Sequence, residues 1–259
     1  MTPEISIITV NFGSAQNVKA LWKSLQQFPP TMPWEFIVVD NNSSRKEGTD
    51  LQDFLKGAPN AHVIPLAQNK GFGVGNEEGI RFAKGNIIAI VNPDIEIQPG
   101  TFENLLDVLK TERTGIVTPI LQSRDGHPLP NTWDFPSVWN LLKRRLLKPE
   151  PVAVSREITP IAWAQGSFLV MQKSFFLETL GGFDHRFFLF LEDTDICRRA
   201  WEAGYRVLQV PNAKAFHGDK RLSGKGILQS FKKKTFWIHI LSAVKYFWKY
   251  RRTPCPPIK

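Results

Sequence analysis

Two acidic clusters about a hundred residues apart carry the residue types that could do chemistry. Asn92-Pro93-Asp94 closes the apolar run Ile87–Val91, and Glu192-Asp193-Thr194-Asp195 follows the aromatic-rich run Phe187–Leu191. The first suits a hard divalent cation such as Mn²⁺ or Mg²⁺, which takes one or two carboxylates and fills its shell with water and substrate phosphate oxygens. In the second, a carboxylate beside an apolar wall can be held at the pKa and position that proton abstraction needs. One acidic residue at a helix start is ordinary capping, but three in four residues exceed that need. Asp193 is the expected base, with its neighbours Glu192 and Asp195 left to cap the helix or bind other hydroxyls. Asn92-Pro93-Asp94 also reads as a plain turn, and His217, placed to complete a metal site, also reads as a histidine satisfied in a turn.

The elements that position these groups alternate strand and helix. Ile5–Val10 and Phe36–Val39 are apolar, β-branched runs that end in Asn11 and in Asp40-Asn41-Asn42-Ser43, with Val18, Leu21, Trp22 and Leu25 at helical spacing between them. Both predict parallel strands of an α/β fold, in which polar residues just past the strand ends form the ligand crevice. Further strands are expected at His62–Pro65, Ile87–Val91, Gly115–Leu121, Ile161–Met171 (interrupted at Gln165-Gly166-Ser167) and Tyr205–Val210. Helices are expected over 77–84, 101–111 and 193–203. Between 122 and 159 the pattern dissolves into a Pro- and Trp-containing stretch of lid or binding-loop length, with a short basic amphipathic helix around Trp139, Leu142 and Leu146.

Of the 259 residues, 42% are apolar and 12% aromatic, enough for one sizeable core. The net charge of +9 is concentrated at one end: residues 230–259 hold eight Lys or Arg and no acidic residue, so the body is nearly neutral and offers no face for tracking nucleic acid. Cys197 and Cys255 have no metal or redox spacing. The start of the chain has no secretory pattern, and no run reaches the roughly 20 residues of a spanning helix, so a cytoplasmic chain is expected. Within the tail, Trp237, Ile240, Leu241, Val244, Phe247 and Trp248 share one helical face and Ser242, Lys245, Lys249 and Arg252 another. That composition fits an interfacial helix on an anionic membrane, an amphipathic helix docked on its own domain, or a homodimer contact.

The segment Asn69-Lys70-Gly71-Phe72-Gly73-Val74-Gly75-Asn76 does not follow a first strand and has no dinucleotide-fingerprint spacing. Its context permits amides at a helix start to meet a diphosphate, with Asn69 and Asn76 offering side-chain amides. A tight loop that lets strand and helix pack explains the glycines equally well.

Six motifs in order resemble the inverting family-two glycosyltransferases of GT-A fold, especially their bacterial rhamnosyltransferase-like branch. They are Ile8-Thr9-Val10-Asn11-Phe12, Val38 to Ser44, Asn69-Lys70-Gly71-Phe72-Gly73 with Asn76, Val91-Asn92-Pro93-Asp94, Gly181-Gly182-Phe183-Asp184, and Phe190 to Asp195 with Cys197-Arg198-Arg199. The resemblance covers about residues 4–220. It implies a mostly parallel central sheet flanked by helices, with a nucleotide-sugar half at 1–121, an acceptor-binding and catalytic half at 122–229, and the basic helical tail at 230–259. Asn11, Asp40 and Asn42 would lie near base and ribose, and Asn69, Gly71, Phe72, Asn76 and Asn92 along the diphosphate. Asp94 and His217 would hold the metal, and Trp163, Gln165, Gly166 and Asp195 would lie between donor sugar and acceptor. Relatives carry an acidic residue where this chain has Asn92, which implies a weaker or water-mediated metal contact there. Trp163 reads equally as a core tryptophan at a strand end. The implied reaction moves a sugar, with rhamnose favoured, from a dTDP- or UDP-linked donor to a saccharide or lipid-diphosphate-linked acceptor in polysaccharide synthesis, at the inner face of the cell membrane.

Two other classes share parts of this pattern. A nucleotidyltransferase has a similar sheet, but its activating loop carries Gly with Arg and Lys, which Asn11-Phe12-Gly13-Ser14 lacks. A non-catalytic sugar- or lipid-binding module would keep the fold without needing Asp193.

Overall fold

A computed structural model describes residues 2–137, 155–218 and 234–258. The strands are β1 (Ile5–Asn11), β2 (Trp34–Asp40), β3 (Ala61–Pro65), β4 (Ile87–Val91), β5 (Ile95–Ile97), β6 (Thr114–Gln122), β7 (Thr132–Trp133), β8 (Thr159–Pro160), β9 (Trp163–Ala164), β10 (Phe168–Gln172) and β11 (Arg206–His217). The helices are α1 (Ala15–Gln27), α2 (Arg45–Leu55), α3 (Phe72–Phe82), α4 (Thr101–Leu109), α5 (Glu192–Glu202) and α6 (Lys234–Lys249), with a π-helical turn at Phe175–Thr179.

The main sheet runs β3-β2-β1-β4-β10-β6-β11-β5, with β8 joining the side of β11 and a separate β7-β9 pair beside it. β3, β2, β1 and β4 are mutually parallel, as are β6 and β11; β10 runs antiparallel between the two groups. The result is the expected α/β architecture with a mostly parallel sheet. One sheet crosses residue 121, so the two expected halves share a single framework.

Alternation along the strands explains the layers, because successive side chains leave opposite faces. Ile5 and Ile7, Phe36 and Val38, and Ala89 and Val91 meet α1, α2 and α4 on one face; Ile8, Ile37, Val39, Ile88 and Ile90 meet α3 and α5 on the other. Strands buried on both sides read as unbroken apolar runs, which is how they stand in the sequence. Glycine sets the closeness of α3: a Cβ on Gly79 would lie 2.6 Å from Ile8 Cγ2, and one on Gly75 3.1 Å from Val10 Cγ1.

Two elements depart from expectation. α3 begins at Phe72, several residues ahead of the expected start, because glycine-rich sequence hides helical periodicity while Gly71, at φ 84°, supplies the left-handed entry. α2 has no counterpart among the expected helices, although Ser44-Arg45-Lys46-Glu47 is a capping-box sequence and the Ser44 side chain accepts the Glu47 amide hydrogen. The interrupted strand at 161–171 resolves into β9 and β10. The basic helix expected around Trp139–Leu146 lies outside the described residues.

The C-terminal helix docks on the domain, yet not through the apolar face that a self-docked amphipathic helix would bury. Its docked side carries Ser242 and Tyr246, 2% and 1% exposed, while Trp237, Ile240, Leu241, Val244 and Trp248 on the apolar side are 38–62% exposed. The helix packs on the body through its more polar face and presents its apolar face outward.

Candidate active site

The crevice lies past the C-terminal ends of β1, β2 and β4, where a parallel sheet gathers its loops. Asn11, the last residue of β1, is buried; its Nδ2 donates to Asp40 Oδ1 (3.1 Å) and to Ser43 Oγ (2.9 Å), and its Oδ1 accepts from the Ser14 amide (3.1 Å). Asp40 closes β2 and packs so near α2 that a Cβ on Gly48 would fall 2.8 Å from its Oδ2. Asn42 is exposed, with φ 64°.

The neighbour of Asn42, absent from the expected site residues, fastens the 69–71 loop. Asn41 is buried, donates Nδ2 to Asn69 Oδ1 (3.1 Å) and Gly71 O (3.0 Å), and accepts the Lys70 amide at Oδ1 (2.9 Å). Asn69 Oδ1 in turn accepts the Gly71 amide (2.9 Å). The only signal in the sequence is the asparagine pair itself, and nothing in a strand-end loop tells which one turns inward.

Gly71 is a close approach. A Cβ there would overlap the carbonyl of Phe188, the same carbonyl that accepts the Phe72 amide hydrogen (2.9 Å). The first amide of α3 is therefore engaged by the segment leading to the acidic cluster. Asn76 is buried within α3, its Nδ2 turned back to Phe72 O (2.9 Å) and its Oδ1 without a hydrogen-bond partner. Gly73 and Gly75 face Phe183 and Val10, so packing accounts for both.

Asp94 and His217 come together as expected, with Nε2 3.5 Å from Oδ2. The antiparallel pairing of β11 with β5 sets His217 opposite Ile95, and the Gly218 amide donates to Asp94 O (2.8 Å). Asp94 Oδ1 is buried with no hydrogen-bond partner. An orphaned carboxylate oxygen beside an imidazole fits a borderline divalent ion such as Mn²⁺. No cluster of three or more His, Cys, Asp or Glu suited to a metal occurs among the described residues. Such an ion would draw its remaining ligands from substrate and water.

The strand end and the acidic cluster are joined by short steps. The Asn92 amide donates to Ser167 O (2.8 Å), and the adjoining Gly166 amide donates to Asp193 Oδ2 (3.0 Å). Asp193 Oδ1 accepts the Thr194 amide (2.7 Å), and the Phe72 ring lies where a Cβ on Gly166 would meet it at 3.0 Å. Burial raises the Asp193 pKa above the ordinary aspartate value, against the lowering effect of the Gly166 and Thr194 amides. Burial, and then the charge of Asp193, push Glu192 well above its ordinary value, and Glu192 Oε2 has no hydrogen-bond partner. Two adjacent buried carboxyls cannot both ionise cheaply, and the amides favour placing the charge on Asp193.

Asp195 stands elsewhere than expected, and Trp163 takes the core placement of its two readings. Asp195 is fully buried, with Oδ2 on Arg199 Nε (2.8 Å) and Oδ1 on Lys249 Nζ (2.5 Å) and Tyr250 OH (2.8 Å). Both oxygens are committed to α5 and the tail, because residues 193 and 195 lie about 200° apart around a helix. Trp163 is 9% exposed, its ring against Trp133 (4.7 Å between centroids) and its Nε1 donating to Asp134 O (2.9 Å), the placement of a core tryptophan. Gln165 is half-buried, its amide donating to Asn131 O (2.8 Å).

The known proteins that the chain is similar to are named as sugar transferases. The chain is 26% identical over 249 residues to the N-acetylglucosaminyl-diphospho-decaprenol L-rhamnosyltransferase of Mycobacterium tuberculosis, covering 87% of this chain and 79% of that one. It is 26% identical over 262 residues to the rhamnosyltransferase WbbL of Escherichia coli, covering 95% and 94%. Among solved structures, the mannosyltransferase PcManGT of Pyrobaculum calidifontis, in complex with GDP-Man and Mn²⁺, superposes with a TM-score of 0.65 at 18% identity. That match covers 99% of this chain and 66% of the other, and it establishes the shared GT-A fold. The model of the family described as Glycosyl transferase family 2 matches residues 6–167, more than half of the sequence, and the chain belongs to that family.

Proposed function

We propose that this glycosyltransferase moves a sugar with inversion from a nucleoside-diphosphate sugar, dTDP-rhamnose for preference, to a saccharide hydroxyl on a lipid-diphosphate carrier. The observation that carries the reading is the Asp193 carboxylate: buried, raised in pKa, and tied through Gly166 to the strand end that bears Asp94. Its amide contacts leave lone pairs for an acceptor hydroxyl. Asp193 takes the proton as that oxygen attacks the anomeric carbon from the face opposite the nucleoside diphosphate, and Glu192 stays protonated beside it. Asn11 and Asp40 hold the nucleoside end, with Asn42 at its rim, and the loop fastened by Asn41 lies along the diphosphate. Asp94 and His217 would hold Mn²⁺ or Mg²⁺, and such an ion supplies positive charge at the departing diphosphate.

The names of the two rhamnosyltransferases support the donor choice, and the mycobacterial name supports a lipid-diphosphate acceptor. An anionic membrane is the proposed surface for α6, since its exposed aromatic and aliphatic face is joined to a tail of basic residues without a single acidic one. No helix among the described residues is long and apolar enough to cross a membrane. Attachment at the inner face of the cell membrane would bring the crevice to its acceptor.

The test is product analysis with dTDP-rhamnose and UDP-sugars, an N-acetylglucosaminyl-diphospho-lipid acceptor and Mn²⁺. Release of nucleoside diphosphate with an inverted linkage is the expected outcome. Pyrophosphate would indicate nucleotidyl transfer, and binding with no turnover would indicate a sugar- or lipid-binding module. For the membrane surface, vesicles rich in phosphatidylglycerol should sediment the chain and lose it when Leu241 and Trp248 are both replaced by Glu. Undiminished sedimentation would exclude that face.

A further inference from the structure

The turn that launches α5 is strained. Phe190 and Leu191 both hold left-handed backbone, at φ 70° and 68°, where the Cβ of a non-glycine residue crowds the following carbonyl. A strained pair persists only when its surroundings over-determine it.

Here the surroundings are the C-terminal helix. The Phe190 ring lies against His239 (4.8 Å between centroids), Ser242 Oγ donates to Leu189 O (2.8 Å), and Leu191 is buried with Phe187 against Tyr246. Lys245 Nζ donates to Arg186 O (2.6 Å). One turn into α5, Lys249 and Tyr250 take Asp195, and Lys249 also reaches Asp184 (2.7 Å). Hydrogen bonds from Arg186 and Lys249 outweigh the burial of Asp184 and hold its carboxyl well below the usual range. From the opposite direction Arg198, 3% exposed on α5, donates Nη2 to Thr253 O (2.8 Å) and Pro254 O (3.0 Å) with its guanidinium 3.7 Å from the Tyr250 ring centroid. A buried arginine shared between Glu202 on its own helix (Nε to Oε1, 2.9 Å) and two tail carbonyls marks a built joint.

We propose that the C-terminal segment around residues 239–254 is a positioning element of the active site: His239, Ser242 and Tyr246 hold the strained 190–191 turn, and Lys249 and Tyr250 are positioning residues that clamp Asp195, so that Asp193 between them is aimed. Asp193 lies two residues after the turn and two before the clamped Asp195, so release of either end moves it. The proposal rests on the assignment of Asp193 as base. Asp195 is faced by Arg199 from its own helix, by Lys249 and Tyr250 from the tail and by the more distant charge of Arg186, with Glu192 and Asp193 as acidic neighbours. Removing the Lys249 ammonium leaves a less compensated negative charge beside the catalytic pair.

The experiment compares Lys249→Met, Lys249→Arg and Tyr250→Phe in the full chain, measuring kcat, the pH profile of kcat/KM, calorimetric affinity for the donor nucleoside diphosphate, and Tm. Lys249→Met should lower kcat about tenfold to a hundredfold, the cost of a small misplacement of a reacting group, with nucleotide affinity unchanged. Its acid limb should move to higher pH, because a carboxylate pair that loses a nearby cation holds its proton longer. Lys249→Arg should restore most of the rate, and Tyr250→Phe should show a smaller loss. Wild-type kcat and acid limb in Lys249→Met would overturn the proposal, as would a parallel fall of kcat, nucleotide affinity and Tm, which describes a general scaffold. If Lys249→Met does not fold, Tyr250→Phe decides: an unchanged kcat overturns the proposal. A fully active Asp193→Asn would remove the base assignment itself, whereas a fully active Lys249→Met beside an inactive Asp193→Asn removes only the positioning role.

Discussion

On the proposed donor side of the crevice, Asn11, Asp40 and Asn41 sit at the ends of parallel strands and answer one another and the nearby loops with ordinary hydrogen bonds. On the acceptor side, Glu192 and Asp193 are buried together, Glu192 keeps an oxygen without a partner, and the turn before them is in left-handed backbone. Apart from Asn42 in left-handed backbone and the unpartnered oxygens of Asn76 and Asp94, the donor side is at rest in its fold. The proposed acceptor side is held in place by contacts from the C-terminal helix, Phe190 with His239 and Asp195 with Lys249 and Tyr250, which suits the role proposed for Asp193.

The sharpest way to separate the two sides is to remove one reactive group from each. Asp193→Asn should cost about 10²–10⁴-fold in kcat, the usual share of a general base, while calorimetry finds nucleotide affinity unchanged. Asp94→Asn should act in the opposite sense, weakening Mn²⁺-dependent nucleotide binding on the order of 10–100-fold, the size of effect seen even for residues that only support a ligand. If both variants lost nucleotide binding equally, the division into two sides would be wrong.

A smaller effect is expected from Asn41→Ala, which leaves Gly71 O and the Lys70 amide without their buried partner. Chemical denaturation should show a loss of about 2 kcal/mol, accompanied by a raised donor KM. The smallest effect has the opposite sign. Glu192 has a folded-state pKa above its unfolded value, so its contribution to stability declines as pH rises from the unfolded value through the raised one. Glu192→Gln should therefore raise Tm at pH 8, with the gain vanishing near pH 4. A lower Tm at pH 8 would show that the charge is stabilised where it lies.

Much of the donor side was legible in the sequence. Buried parallel strands announce themselves as apolar runs, their ends mark the crevice, and Asp94 with His217 was expected as a pair. Asn41 was not singled out, because inward and outward turns of neighbouring residues in a loop leave no periodic trace. The acceptor side was legible in composition and less so in direction. Three acids in four residues signalled chemistry at 192–195, yet only the helical rotation between positions 193 and 195 sends one toward Gly166 and the other toward Lys249. Tail periodicity located both faces of α6 correctly. Which of them meets the body depends on Asp184, Asp195 and the Leu189 carbonyl, partners that no local pattern connects to residues 242–250.

Because α6 docks through Ser242, Tyr246 and Lys249, the residues on its outer ridge make little contribution to holding the protein together. Ile240, Leu241, Val244 and Trp248 are thus free to vary under selection for where the protein resides, without a penalty in folding. On the proposed membrane reading, the strength of attachment and the stability of the enzyme could be tuned separately, by an evolving lineage or by an engineer who wants the same catalyst in solution.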